Sequence, residues 1–254
     1  MCGITGFLNL NNAPAQRDVL ERMNNAISHR GPDDAGFRLH QNVGLAMRRL
    51  AIIDLSGGHQ PLCNEDETVW IIFNGEIYNF PELRRELENK GHTFRTHSDT
   101  ECIVHAWEEW GENCPQKLRG MFAFAIYDLK QQTLFIARDR VGKKPLLYTQ
   151  TANGEFLFAS EFQSLLAHPN VSRRINFPAL DLFLTTGCIP SPHTAYEGIF
   201  KLPPAHSLLI KNGETKIQRY WQLNYDRKIQ ISEADAKDEL LRRLREAVKI
   251  RMVS

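Results

Sequence analysis

A cysteine stands at position 2, directly after Met1. Removal of Met1 would put a thiol and a free α-amine on one residue, a nucleophile that carries its own base. An α-amine titrates near ~7.7–8.0 and a free thiol near ~8.5, so both exchange protons close to neutral pH. The thiolate is the reactive form, and an adjacent base is one way to make it. The competing reading of Cys2 is a small buried hydrophobe. The other four cysteines, Cys63, Cys102, Cys114 and Cys188, are spaced widely and irregularly, with no C-x-x-C pair. They indicate neither a zinc site nor a disulfide framework. The nine histidines show no metal-ligand spacing either, so the sequence points to no metal.

The elements that must position Cys2 follow from periodicity. Gly3 to Leu10 reads as a strand, and Gln16 to Ser28 as a helix with Val19, Leu20, Met23 and Ile27 on one stripe. Ala35 to His40 and Val43 to Ile53 are strand candidates, followed by a loop to Asn64. Thr68 to Asn74 is a strongly β-forming run that stops at Gly75. Pro81 to Asn89 is a surface helix, His92 to Thr96 a short strand, and Thr100 to Trp110 an amphipathic helix closed by Gly111. Met121 to Tyr127 and Thr133 to Ala137 make a hairpin. Strands follow at Leu146 to Thr149 and Glu155 to Ala159, and helices at Glu161 to Ala167 and Phe177 to Thr186. Ser207 to Lys211 and Thr215 to Tyr220 form a hairpin around Asn212-Gly213. A final helix starts at Ser232, capped with Asp235 three residues on, and carries the apolar stripe Leu240, Leu244 and Val248. Strands joined by hairpins and helices in groups argue for α+β with antiparallel sheets packed face to face and helices outside.

Composition narrows the classes of function. Lys plus Arg is 31 against 30 Asp plus Glu, a net charge of +1. That balance leaves no electrostatic footprint for nucleic acid or an anionic membrane. No apolar run approaches the ~20 residues of a membrane span, and the N-terminus lacks a signal-peptide pattern. An odd cysteine count without a secretion signal fits a reducing cytoplasm.

Met1-Cys2-Gly3-Ile4, Arg30-Gly31-Pro32-Asp33, Arg49-Leu50-Ala51-Ile52-Ile53-Asp54, Asn74-Gly75-Glu76-Ile77-Tyr78-Asn79 and Ser98-Asp99-Thr100-Glu101 stand in a characteristic order. The chain resembles the glutaminase domain of class II glutamine amidotransferases, which are N-terminal-nucleophile hydrolases. Gly120-Met121-Phe122-Ala123-Phe124-Ala125 and Ala137-Arg138-Asp139-Arg140 narrow the resemblance to the glutamine-hydrolysing asparagine synthetase group. The resemblance covers nearly the whole chain and implies a four-layer αββα sandwich. It further implies that Met1 is removed and that Cys2 attacks the side-chain amide carbon of L-glutamine, with the new α-amine as base.

Within that resemblance each site residue takes a role. Attack builds charge on the amide oxygen. Asn74 and Gly75, at the end of a buried strand, offer a side-chain NH₂ and a backbone N–H for it. An ordinary Asn-Gly turn is the alternative. Arg49 can grip the α-carboxylate as a bidentate fork. Asp99 can take the α-ammonium, assisted by Glu76, or can cap the helix that follows. Leu50, Ala51, Ile52 and Ile53 would line the pocket. His29 to Asp33 shapes the wall near Cys2, and Arg138-Asp139-Arg140 makes structural ion pairs. Ser56-Gly57-Gly58 is followed by His59-Gln60 rather than Asp-Ser, so it is not assigned to ATP.

The sequence thus divides into a glutaminase domain over 2–220 and, over 221–254, a linker and a helix leading toward a synthetase domain that the chain lacks. No cofactor is expected here; ATP and magnesium belong to the synthetase domain, present in cis in a longer protein or as a separate chain. A homodimer is compatible with this reading. The rival readings are a glutaminase domain serving another acceptor and a catalytically silent assembly domain.

Overall fold

The computed structural model describes residues 2–50, 58–226 and 228–252. In chain order the elements are β1 (Gly3–Asn9), α1 (Arg17–Asn25), β2 (Asp34–His40), β3 (Val43–Arg49), β4 (Leu62–Cys63), β5 (Val69–Ile77), α2 (Phe80–Asn89), α3 (Asp99–Trp110) and α4 (Cys114–Lys117). They continue with β6 (Gly120–Asp128), β7 (Thr133–Arg138), β8 (Leu147–Gln150), β9 (Glu155–Ala159), α5 (Phe162–Leu166) and α6 (Phe177–Thr186). The last are β10 (Ile199–Lys201), β11 (His206–Lys211), β12 (Glu214–Arg219) and α7 (Glu233–Lys249).

The strands form two six-stranded sheets, ordered β10-β8-β9-β1-β3-β2 and β12-β11-β7-β6-β5-β4. Every pairing between them is antiparallel. Side-chain alternation sorts the apolar residues into three layers. Ile4, Val43, Leu45, Met47, Ile72, Ala123, Ala125, Leu134, Ile136, Phe156 and Phe158 meet between the sheets. The opposite faces of the same strands carry Phe7, Ala46, Leu157 and Ala159, which pack on Leu20 and Met23 of α1 and Leu165 of α5. On the other side Phe73, Phe122, Phe124 and Phe135 pack on Leu83 and Leu87 of α2 and Ile103 and Trp107 of α3. Helices, sheet, sheet and helices are thus stacked in four layers, as the hairpin-rich pattern and the resemblance imply.

Local expectations fail where a side chain competes with a backbone partner. The strand through Asn74 does not stop at Gly75. It runs to Ile77, with Asn74 opposite Ala123 and Gly75 opposite Phe122. Gly75 serves close strand approach rather than a turn: a Cβ there would meet Met121 O at 2.2 Å and Phe122 Cα at 2.8 Å. The stretch from His92 to Thr96 is not a strand. Its amides are taken by carboxylates, Thr93 N–H by Glu65 at 3.1 Å and Arg95 and Thr96 N–H by Glu101 at 2.8 and 2.7 Å. The short β4 and β10, absent from the sequence reading, carry too few residues to show a period.

Arg138-Asp139-Arg140 works through the backbone. Arg138 donates to the carbonyls of Lys144, Leu202 and Gly142. The fully buried Asp139 accepts from the amides of Phe122, Val141, Lys143 and Lys144. The final helix is capped as its sequence indicates, with Ser232 Oγ accepting from Asp235 N–H at 3.2 Å. Among the described residues no helix is long and apolar enough to cross a membrane.

A cleft at one end of the sheet sandwich

Cys2 immediately precedes β1 and packs against the layer between the sheets. Its Sγ lies 3.6 Å from Leu50 O and accepts from Leu50 N–H at 3.4 Å. Arg30 fixes the residue from behind, its Nε donating to Cys2 O at 2.8 Å while Nη1 pairs with Glu161 at 2.6 Å. The segment from His29 to Asp33 therefore does shape the wall around Cys2, through Arg30.

Cys2, Arg49, Leu50, Gly75, Glu76 and Asp99 line one cleft, joined by Gly58, Gln60, Phe73, Ser98 and Thr100. The cleft exists because β5 outruns its neighbour. β4 pairs with β5 only at Trp70 and Ile71, so among the described residues no strand covers the edge beyond. Side chains occupy that edge at two points: Gln60 Oε1 accepts from Phe73 N–H at 2.7 Å, and Asp99 Oδ2 from Ile77 N–H at 2.8 Å. Strand amides alternate between edges, so the Gly75 N–H points the same way as these two, into the gap between Gln60 and Asp99.

Asn74 shares the inner parity of Ile72 and so faces the layer against which Cys2 packs. Its side chain is 1% exposed, and neither Nδ2 nor Oδ1 has a hydrogen-bond partner among the described residues. Burying an amide without partners costs ~1–3 kcal/mol, which marks Asn74 as a group held ready for something else.

Asp99 opens α3 but does not cap it. Ser98 does, its Oγ accepting from Thr100 N–H at 3.2 Å. The Asp99 carboxyl is 4% exposed, and burial pushes its pKa from 3.8 to about 6, with the nearby Glu76 charge acting in the same direction and the Ile77 amide opposing. Between those two values the folded chain holds a proton that the unfolded chain has released. Stability therefore falls as pH rises from about 4 through about 6. Asp99→Asn should remove that loss. Thermal melts should show the variant level with the parent near pH ~4 and ahead by on the order of 1–3 kcal/mol at pH ~7. A gap that does not widen with pH would show that Asp99 is not the strained group.

Gln60, which lines the cleft, and Lys144, which does not, were not legible in the sequence. Gln60 bridges Phe73 N–H to Thr100 Oγ1, the latter at 3.3 Å. Lys144 is buried, and desolvation lowers its pKa while the charges of Glu76 and Cys2 act to raise it, which places it within electrostatic reach of both. A lysine in Gly142-Lys143-Lys144-Pro145 reads as a wet turn residue, and only the surrounding fold desolvates it. Ala51, Ile52 and Ile53, read as pocket lining, and the expected removal of Met1 lie outside the described residues.

The chain matches the family model described as "Glutamine amidotransferase domain" over residues 1–221. It is 40% identical over 231 residues to "Asparagine synthetase [glutamine-hydrolyzing] 3" of Bacillus subtilis (strain 168), covering 89% of this chain and 38% of the relative. It is 41% identical over 252 residues to the same organism's "Asparagine synthetase [glutamine-hydrolyzing] 1", covering 98% of this chain and 39% of the relative. The chain thus spans about two-fifths of the length of these relatives. Among solved structures, the glutamine phosphoribosylpyrophosphate amidotransferase of B. subtilis superposes with a TM-score of 0.65 at 19% identity, over 87% of this chain and 50% of that one. This last likeness concerns the fold.

Proposed function

Since the chain belongs to the glutamine amidotransferase family, we propose that the cleft at Cys2 hydrolyses L-glutamine to glutamate and ammonia and that the ammonia serves an ATP-dependent amidation of aspartate. The observation that carries this reading is a cleft lined by the Cys2 thiol and the Gly75 edge of β5, with the buried amide of Asn74 on the inward face of that same strand.

In this reading the α-amine of Cys2, freed by loss of Met1, takes the thiol proton through a water. The sulfur attacks the amide carbon of glutamine. Charge on the amide oxygen is met by Asn74 Nδ2 and by the Gly75 N–H at the open edge. The protonated amine then returns its proton to the leaving nitrogen, ammonia departs, and water hydrolyses the thioester on Cys2 to release glutamate. Arg49 holds the substrate's α-carboxylate and Asp99 its α-ammonium, with Glu76 beside it. Asp99 must be ionised for this, so kcat/KM for glutamine should fall as pH drops below about 6. Leu50 lines the pocket and gives its amide to the nucleophile.

Asn74→Ala should lower kcat by about 10²–10³-fold with little change in KM, because the charge it meets exists only in the transition state. Steady-state ammonia release checks this. A variant altered only in KM would remove the oxyanion role.

Asparagine formation is the favoured destination of the ammonia because the curated relatives matched along nearly the whole chain are named as glutamine-hydrolysing asparagine synthetases. Aspartate activation needs ATP and magnesium, and both are assigned to a synthetase domain. Helix α7 is a candidate surface for that domain: Leu240, Leu244 and Val248 are each more than half exposed, and none of its residues is buried. Incubating the chain with glutamine, aspartate, ATP and magnesium should yield glutamate and ammonia in equal amounts and no asparagine. Asparagine, or aspartate-dependent release of AMP, would place a synthetase site within these residues.

A further inference from the structure

Away from the residues that line the cleft, the chain brings together three side chains far apart in sequence. Glu65 follows β4, His92 follows α2, and His105 lies in α3. Each places one donor atom within 4.8 Å of the other two. The two imidazoles lie 4.9 Å apart between ring centroids, and Phe94 packs edge-on against His105 at 4.6 Å. His105 is 1% exposed. Its Nδ1 is 2.8 Å from Glu108 Oε2, which leaves Nε2 as the open position, buried and without a hydrogen-bond partner among the described residues.

We infer that Glu65, His92 and His105 form a binding site for a divalent transition metal of the zinc type. Two imidazoles and a carboxylate are the donors such an ion takes, and three protein ligands with a water complete a tetrahedron. Glu108 on His105 Nδ1 is the outer carboxylate that holds a ligating imidazole in the correct tautomer. Ligands on a zinc ion stand about 3.4 Å apart at bond lengths of ~2.0–2.1 Å. The present donors lie within 4.8 Å of one another, so the site must tighten on binding; Glu65 is exposed, and among the described residues only its Oε1 is engaged, by the Thr93 amide at 3.1 Å.

Charge favours the same occupant. Glu101 Oε1 lies 3.8 Å from His105 Nε2, Glu108 is 3.7 Å from His92 Nδ1, and Glu109 is 3.8 Å from His92 Nε2. Glu101 is already committed to the amides of Arg95 and Thr96 and to the Thr96 hydroxyl, so it contributes charge rather than a ligand. The metal would tie the segment after β4 to α3. That segment is preceded by Gly58 and Gln60, and α3 begins at Asp99; all three of these residues line the cleft. Its role is therefore a fastening of the cleft's outer wall.

The test uses untagged chain carrying Cys2→Ala, because a free amino-terminal cysteine chelates zinc by itself. After dialysis against Zn²⁺ and removal of free metal, elemental analysis should find one equivalent bound, with a raised Tm. In the same background, Glu65→Ala with His92→Ala should lose that equivalent and the Tm rise, while circular dichroism shows the fold kept. Glu108→Gln should weaken Zn²⁺ binding 10–100-fold. A parent that retains no zinc would reduce His105 to a buried imidazolium paired with Glu101 and Glu108. An equivalent that survives in the double variant would put the metal elsewhere. Either result overturns the assignment.

Discussion

Cys2→Ala is expected to bring glutamine hydrolysis down to background. No other described residue that lines the cleft offers a thiol. Loss of the nucleophile removes the covalent route, whereas loss of a donor only weakens it. The substitution should spare the fold, because Cys2 stands just before β1 and, among the described residues, its sulfur's hydrogen bonds go only to the Leu50 backbone. Ammonia release and a thermal melt, measured on the same preparation, separate the two effects. Turnover retained by Cys2→Ala would end the nucleophile assignment. A parent chain with Cys2 free at its terminus and no turnover would instead favour a silent assembly domain. Mass spectrometry decides which terminus is present; the proposed base requires a chain that begins at Cys2, since an amide nitrogen is not basic.

The second large effect is expected from Arg49→Ala. Arg49 ends β3, is almost fully buried and lines the cleft with Asp99 and Glu76. Removing one partner of a desolvated charge pair costs about 3–5 kcal/mol, which is roughly a 10²–10⁴-fold rise in KM for glutamine. A forked pair to a carboxylate depends on the carboxylate, so the variant should also lose its preference for glutamine over the carboxyl-amidated analogue. Preference retained in Arg49→Ala would assign the α-carboxylate to another group. Arg49→Lys distinguishes charge from geometry: a lysine keeps the charge and loses the fork, and recovery should be partial.

Much of the layer architecture was legible in the chain itself. Alternation along Phe122-Ala123-Phe124-Ala125-Ile126 sends phenylalanines to the helices and alanines to the opposing sheet. The stripe Val19, Leu20, Met23 and Ile27 is buried as its spacing implies. Asn212 and Gly213 both take positive φ, 53° and 78°, as the hairpin they close requires. Ser232 caps α7, and Leu240, Leu244 and Val248 stay exposed. These are short-range properties. A period of two or 3.6, a left-handed turn or a capping hydroxyl is set within a few residues, so it survives in the linear text.

The site followed a different rule. Sequence order pointed to Cys2, Arg49, Leu50, Asn74, Gly75, Glu76 and Asp99, but not to how the backbone presents them. Asn74-Gly75 reads as a turn because nothing local announces that Met121 and Phe122 will press against Gly75. Asp99 reads as a cap because nothing local places the Ile77 amide over its carboxylate. Gln60, Lys144 and the group Glu65, His92 and His105 give no local signal at all. Their chemistry comes from desolvation and from neighbours distant in sequence, Phe73 for Gln60, Glu76 and Cys2 for Lys144, two imidazoles for Glu65. The sequence by itself determined which side chains are available and which face of each strand or helix they occupy, since both depend on local stereochemistry. Only the tertiary structure decided which strand edge stays open, which polar groups lose water and which charges meet, because these depend on pairings across the whole sandwich.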